Sequence, residues 1–493
     1  MPTRILQTTK WLLIILAAAL ICWNILWLIN LEPDHDEVEH WHAAWLMRQG
    51  KVPFHDFFEH HSPILWILLK GYYDLFGDNY GIIIASRALM IPIFLLITLL
   101  SYQIARFWTD RSGAWIAALG FPLLSLNYFR VHFCVRGDPI ILLLLLAALL
   151  QAIKIVRHEG KRGSFLHSLP IFILLGTAVA ISPRAGIPSL TLFLAFFLCN
   201  PIPAADDTKK KIPPYLIRLR DIIPAGLIVA FPTLLLALFY GFEIYFFWVF
   251  YYSASLSPRF SPLPNLINIL KSAAPMALLC LLGAYSVIRS SELRRDRSLR
   301  LLDAMAVTGF FGLWANRAPY MQHFLMTIPF IGFFGGIGFD RLVAILHRKI
   351  KISGGKLAAA ALLFSLILLS LKTYIFQRDW AETDRAAWVE CAEWMVRNAG
   401  CDGNFAAGTA YAQPIFLQDA FYYWFGGRGV SVTLKKIRPI FAPYSFPLLK
   451  RRSPKILHES FAFAWGFDQA QEYLDWRARN YEKTPFKGYW MKK

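Results

Sequence analysis

The chain has 493 residues, 56% of them hydrophobic and only 17% charged, with 51 Lys and Arg against 32 Asp and Glu for a net charge of +19. Apolar runs of helix-spanning length recur through its first three quarters, which excludes an ordinary soluble globular protein. The positive charge falls in the short loops between these runs, so it reads as a cytoplasmic rim beside anionic lipid, and no nucleic-acid partner is expected.

In chain order the runs lie near 11–30, 82–105, 113–128, 138–154, 168–182, 185–200, 222–241, 265–288, 301–316, 320–340 and 356–376. They predict an α-helical polytopic membrane protein with about eleven transmembrane helices. The first run has no convincing small-residue cleavage site and ten more follow it, so it reads as a retained signal anchor. The basic stretches 4–10, 106–111, 154–162, 209–220, 289–300 and 341–356 all fall on the side of the N-terminus. Lys and Arg accumulate on the cytoplasmic face, which places the N-terminus inside and the C-terminus outside.

Between the first two runs lies the outer loop 31–64, which carries Asp36-Glu37 and then Glu59-His60-His61-Ser62-Pro63 and holds six of the twelve histidines. Further along, Arg136, Asp138, Arg184, Arg259 and Arg317 also fall at outward helix ends. Burying a lone charge in a bilayer costs roughly 2.5–3.5 kcal/mol even on the lenient insertion scale, so same-side clustering predicts a shared polar cavity. Blander roles exist for each: Asp36-Glu37 as a helix cap, Asp138 as an acidic helix opener, and the arginines as lipid-headgroup contacts.

Beyond 376 the texture changes to scattered charges and aromatic clusters such as Phe421-Tyr422-Tyr423-Trp424-Phe425. Residues 1–376 read as the membrane part and 377–493 as a small mixed extracytoplasmic domain opened by a helical pattern over 384–398. Cys391 and Cys401 are the only cysteines in that domain, and either a disulfide or two thiols suits their spacing. No zinc-type cysteine spacing, P-loop, dinucleotide fingerprint, nucleophile elbow or zincin helix occurs.

The order of these features carries a resemblance. A first helix is followed by an Asp-Glu loop, Gly50-Lys51-Val52-Pro53, Asp56-Phe57-Phe58-Glu59 and a Pro-led helix; later come Arg136-Gly137-Asp138-Pro139, Ser182-Pro183-Arg184-Ala185-Gly186 and Tyr245-Phe246-Phe247-Trp248-Val249. Over roughly 10–345 this layout resembles the polyprenyl-phosphate-sugar glycosyltransferases of the GT-C superfamily, such as protein O-mannosyltransferases and lipid A aminoarabinose transferases. The resemblance implies that Asp36 is the catalytic base. It also implies a polyprenyl-linked sugar as donor, a lipid, glycan or protein hydroxyl as acceptor, and a bacterial inner membrane as the location.

The residue chemistry suits that reaction. The donor's phosphate leaves as a stable anion, so one carboxylate acting as general base and a cationic clamp suffice, and no cofactor is required. Arg184 and Arg259, with Arg317 as a third, offer paired donors for the phosphate. Direct displacement inverts the anomeric centre; a retaining route needs a second carboxylate, for which Glu37 is the available candidate. Glu59 falls where some relatives of this kind have a metal-binding glutamate, but their histidine near the later Trp-Val is replaced by Tyr251 or a neighbour. Glu59, His60 and His61 therefore bind a divalent metal with a further group, or form hydrogen-bonded loop histidines. A transporter or flippase for envelope glycan precursors is the alternative function, and a non-catalytic assembly subunit a third. Charges at one face, with no matching halves, favour the enzyme.

Overall fold

The computed structural model describes residues 2–157, 165–199, 214–256, 260–316, 319–379, 385–400, 404–424, 430, 433–434, 436–437 and 444–493. Ten helices fill its first half: α1 (Pro2–Asn30), α2 (His35–Arg48), α3 (Ile64–Phe76), α4 (Gly81–Ala105), α5 (Arg111–Leu124), α6 (Leu126–Val131), α7 (Gly137–Arg157), α8 (Phe165–Ile181), α9 (Gly186–Cys199) and α10 (Pro214–Tyr240). Among the described residues each apolar run of the sequence falls mainly on helix. Among the described residues six helices are long and apolar enough to cross a membrane, or seven if the pair Leu263–Ser272 and Ala274–Arg289, bent by 96°, forms one span. The chain is a multi-pass helical membrane protein.

Proline places two breaks that periodicity alone did not locate. Pro275 stands at the start of Ala274–Arg289, where its ring and missing N–H are tolerated but could not continue the preceding helix. Likewise the run near 320–340 opens as a short 3-10 turn, Met321–Met326, and its long helix begins only at Ile328–Ile350, with Pro329 in the first turn.

Small residues let the membrane helices meet closely. A Cβ built at Gly283 or Gly338 would run into the carbonyl of Phe334 or Leu279, so Ala274–Arg289 and Ile328–Ile350 touch backbone to backbone. At the other side of the bundle Asn24 of α1 donates to Ser370 Oγ at 2.8 Å and accepts from Thr373 Oγ1 at 2.7 Å. Interhelical hydrogen bonds of this kind contribute about 0.6–2 kcal/mol in an apolar setting.

The segment 31–64 is not a plain loop. Its first half is α2, whose N-cap Asp34 and Glu37 form a reciprocal capping box. The polar run His35-Asp36-Glu37 disguised a helix that is buried on nearly all sides, with Glu37, Glu39, His40 and His42 inside along with Val38, Trp41 and Ala44. They are covered by α3, by the π-helical stretch Phe246–Tyr252 and by the C-terminal part of the chain.

That C-terminal part is mixed. Helix Arg385–Ala399 leads into a five-stranded sheet of order β2-β1-β3-β5-β4, with β1 (Asn404–Ala406), β2 (Gln418–Asp419), β3 (Ile456–His458), β4 (Tyr481–Lys483) and β5 (Tyr489–Lys492). β1 pairs parallel with β2 and β3, and β5 antiparallel with β3 and β4. Phe446, Leu449, Phe461, Tyr473 and Trp476 pack its core. Ile415 and Trp424 instead join Trp41, Phe54, Phe58 and Trp248 in one continuous core with the membrane part. Cys401 of the considered disulfide lies outside the described residues.

Candidate functional site

The site is built at the first turn of α2. The capping box spends Asp34 on the amide of Asp36 at 3.1 Å and Glu37 Oε2 on the amide of Asp34 at 2.9 Å. Arg87 of α4 grips the same Glu37, with Nε 3.0 Å from Oε1 and Nη2 2.6 Å from Oε2. Val135 N donates to Oε1 at 3.0 Å. Both Glu37 oxygens are thus taken and the side chain is fully buried. Burial works to raise its pKa, but the Arg87 charge and these hydrogen bonds outweigh it and hold Glu37 below the ordinary glutamate value. Arg87 also caps the end of α1, donating to the carbonyls of Leu28, Ile29, Leu31 and Glu32. One guanidinium therefore fixes α2 to the end of α1.

Asp36 faces the other way. Its Oδ2 is 2.5 Å from Arg136 Nη1, and its Oδ1 is 3.5 Å from His35 Nδ1. Arg136 also pairs with Asp34, to which Arg130 adds a longer contact of 3.7 Å. Burial raises the Asp36 pKa, yet Arg136 and the His35 hydrogen bond hold it well below the ordinary 3.8. The charges of Arg184, Arg136, Asp36 and His61 all act on buried Asp138, whose Oδ1 makes no hydrogen bond among the described residues. They also act on His323, whose ring is buried and held neutral chiefly by that burial.

Arg184 stands in the short 3-10 turn Pro183–Ala185 between α8 and α9, as the Ser-Pro-Arg-Ala-Gly pattern predicts. With Ile187, Phe250, Asn316 and His323 it lines a cavity of about 390 Å³ whose lining is mostly apolar. Arg259 and Arg317 lie outside the described residues.

A second cluster joins α2 to the start of α3. His61 Nδ1 is 2.7 Å from Glu39 Oε1 and 3.2 Å from Glu59 Oε1, and the amide of His60 donates to Glu59 Oε1 at 2.8 Å. Burial alone would neutralise His61, but Glu39 and Glu59 raise its pKa to about 10. Glu59 is held far below the usual range against burial by hydrogen bonds from His60 and His61. Burial and the neighbouring Glu59 charge push Glu39 well above its usual value. The cluster thus biases Glu39 toward its acid form and Glu59 and His61 toward their charged forms. Burial lowers His60 to about 4 and His40 to about 3, and the Trp66 indole accordingly donates to His40 Nδ1 at 2.9 Å. Tyr252, not the half-exposed Tyr251, packs on His60, with ring centroids 5.6 Å apart.

The structure therefore brings Asp36, Glu37, Glu59, His60, His61, Arg136, Asp138 and Arg184 of the sequence-predicted set together at one end of the bundle. Glu37 differs from its expected place because Arg87 and the capping box enclose it. Sequence reasoning missed Glu39 and Arg87. Glu39 follows Asp36 by three residues and so shares its helix face, while Arg87 is a lone charge in an apolar run; both signals were legible.

No family model matches this sequence, and no curated protein sequence matches it. Its fold is similar to that of ArnT from Cupriavidus metallidurans bound to undecaprenyl phosphate, with a TM-score of 0.62 at 13% identity over 92% of this chain and 94% of that one. The apo state of the same protein gives 0.62 at 14% identity over 93% and 94% of the two chains. The archaeal oligosaccharyltransferase AglB from Archaeoglobus fulgidus, in complex with an inhibitory peptide and a dolichol-phosphate, gives 0.53 at 11% identity over 97% and 74%. At these identities the likeness is one of fold, and it extends over nearly the whole chain.

Proposed function

We propose that this chain transfers a sugar from a polyprenyl-phosphate carrier to a hydroxyl of a lipid, glycan or protein on the outer face of the membrane, with inversion. Support comes from the fold shared with a protein bound to undecaprenyl phosphate and another in complex with a dolichol-phosphate. The observation that carries the reading is Asp36, an ionised carboxylate held between Arg136 and His35, beside a buried Asp138 on which both Asp36 and Arg184 act. The acceptor oxygen attacks the anomeric carbon, the bond from that carbon to the phosphate oxygen breaks with its electron pair on phosphate, and Asp36 takes the acceptor's proton. Glu37 positions α2, Asp138 orients the arginines, and Arg184, with Arg259 and Arg317, holds the phosphate. The cavity beside Arg184 takes the first isoprene units. In this topology 377–493 is extracytoplasmic and helps select the acceptor.

Carrier binding tests this directly. Charged hydrogen bonds are worth about 1.5–3 kcal/mol, so Arg184→Gln weakens undecaprenyl phosphate binding about 10- to 100-fold by native mass spectrometry in detergent. Equal binding by the variant would remove Arg184 from the phosphate site.

Glu39, Glu59, His60 and His61 also fit a divalent cation. Their ligand atoms lie within 4.8 Å of one another, and Glu59 Oε2 is buried with no hydrogen-bond partner of good geometry among the described residues. Carboxylate and imidazole together suit Zn²⁺ or Mn²⁺, and a bound ion would supply a Lewis acid for the donor phosphate. Because His61 carries a proton here, uptake must displace it, so Zn²⁺ affinity rises with pH. Calorimetry in buffers of different ionisation enthalpy is expected to show proton release that Glu59→Gln abolishes. Affinity independent of pH would leave the cluster as a proton-sharing network.

A further inference from the structure

Among the contacts of the first turn of α2, one comes from far along the chain. The amide of Ala410 points at His35 Nε2 across 3.3 Å. A backbone N–H can only donate, so Nε2 is the ring's lone-pair nitrogen and the hydrogen of the neutral imidazole is on Nδ1. Nδ1 in turn is 3.5 Å from Asp36 Oδ1 and 4.0 Å from Glu39 Oε2. With Arg136 on Oδ2, the Asp36 carboxylate is held from both sides.

The amide of Ala410 is itself anchored. Ala410 opens the 3-10 turn Ala410–Ala412 after an extended Thr409. Three residues beyond that turn, His42 of α2 clamps the chain: Nδ1 lies 2.5 Å from Ile415 O and Nε2 2.6 Å from Asp419 Oδ2. The His42 ring is fully buried between Trp45 and Trp424. Tyr80 holds Pro414 O at 3.1 Å, Trp424 Nε1 donates to Phe58 O at 3.0 Å, and Tyr422 OH donates to Phe54 O at 2.6 Å. The segment 410–424 is therefore a strap, bolted to α2 at His42 and to the approach of Glu59 at Phe54 and Phe58.

We propose that His35 is a positioning residue for Asp36, and that the C-terminal part of the chain fixes its tautomer through the Ala410 amide. The proposal rests on the reading of Asp36 as the base. It makes the strap a working part of the site, in the way that a buried carboxylate or carbonyl fixes a catalytic imidazole elsewhere, with the polarity reversed: here an N–H donor selects the tautomer.

Amide side chains discriminate this role from simple packing. Asn places its N–H near the position of Nδ1, whereas Gln reaches the position of Nε2. In full-length protein reconstituted with polyprenyl-phosphate sugar, His35→Asn keeps kcat within about 3-fold, while His35→Gln and His35→Ala lose about 10-fold or more, with donor KM unchanged. Ala410→Pro, which removes the donor at the first position of its turn, behaves as His35→Gln. Equal activity of the Asn and Gln variants overturns the proposal. A second readout needs no transfer at all: long-range ¹H–¹⁵N spectra of histidine-labelled protein, with His35 assigned by its loss in His35→Asn. An Nδ1–H tautomer that is lost in Ala410→Pro supports the assignment, and an Nε2–H tautomer in the wild type overturns it. A wild type that transfers no sugar but shows the Nδ1–H tautomer refutes the glycosyltransferase reading and leaves the strap's control of His35 standing.

Discussion

Asp36→Asn lowers kcat by about 10²- to 10⁴-fold and leaves carrier binding intact, the range expected when a general base is lost. The substitution is nearly isosteric, so α2 keeps its capping box, which uses the side chains of Asp34 and Glu37 and only the backbone amide of Asp36. In the resting protein Arg136 makes Asp36 a weak base, well below the ordinary aspartate value. An incoming donor phosphate competes for that guanidinium, and whatever share of Arg136 it takes raises the basicity of Asp36 when the acceptor must lose its proton. The sign of the pH dependence follows. A depressed pKa keeps the carboxylate ionised into acid, so the acid limb of kcat/KM for the free enzyme lies below the ordinary 3.8, and Arg136→Gln moves it upward. An acid limb unmoved by Arg136→Gln would contradict this coupling.

Arg87→Met is the substitution expected to cost most stability. Removing one partner of a buried, hydrogen-bonded ion pair leaves the other charge uncompensated, at about 3–5 kcal/mol. Here it also frees the carbonyls at the end of α1. Glu37 has a folded pKa below its ordinary 4.5, so its contribution is present above that value and lost as pH falls through the folded one. Thermal unfolding in detergent should show a lower midpoint for Arg87→Met and partial recovery in Arg87→Met/Glu37→Gln, where no bare carboxylate remains. An unchanged midpoint would mean that the pair fixes neither α1 nor α2.

Much of this was legible in the sequence because bilayer physics writes long apolar runs, and because charges at helix mouths are costly enough to mark a cavity. Asp36, Arg136, Asp138 and Arg184 could be named that way. What could not be read was which acid is sealed and which is open. Asp36 and Glu37 are adjacent, yet one helix turn sends Glu37 to Arg87 and Asp36 to Arg136. Nor does local pattern reveal contacts across more than 370 residues, such as His35 with Ala410 or His42 with Asp419. The helix α2 was hidden by its own polarity, since residues that read as an outer loop are buried by α3, by Phe246–Tyr252 and by a distant strap.

If this protein moves a sugar from a polyprenyl phosphate to an envelope hydroxyl with Asp36 as base, loss of the protein and loss of that carboxylate leave the same mark on the envelope. Mass spectrometry of envelope glycolipids and glycoproteins from cells carrying wild-type protein, Asp36→Asn or a deletion, at matched membrane levels, tests it most directly. One sugar mass is expected to be missing equally from the deletion and the Asp36→Asn cells, with the unglycosylated acceptor accumulating. Asp36→Asn cells that keep the sugar while the deletion loses it would contradict the base assignment, and envelopes unchanged by the deletion would contradict the transfer itself.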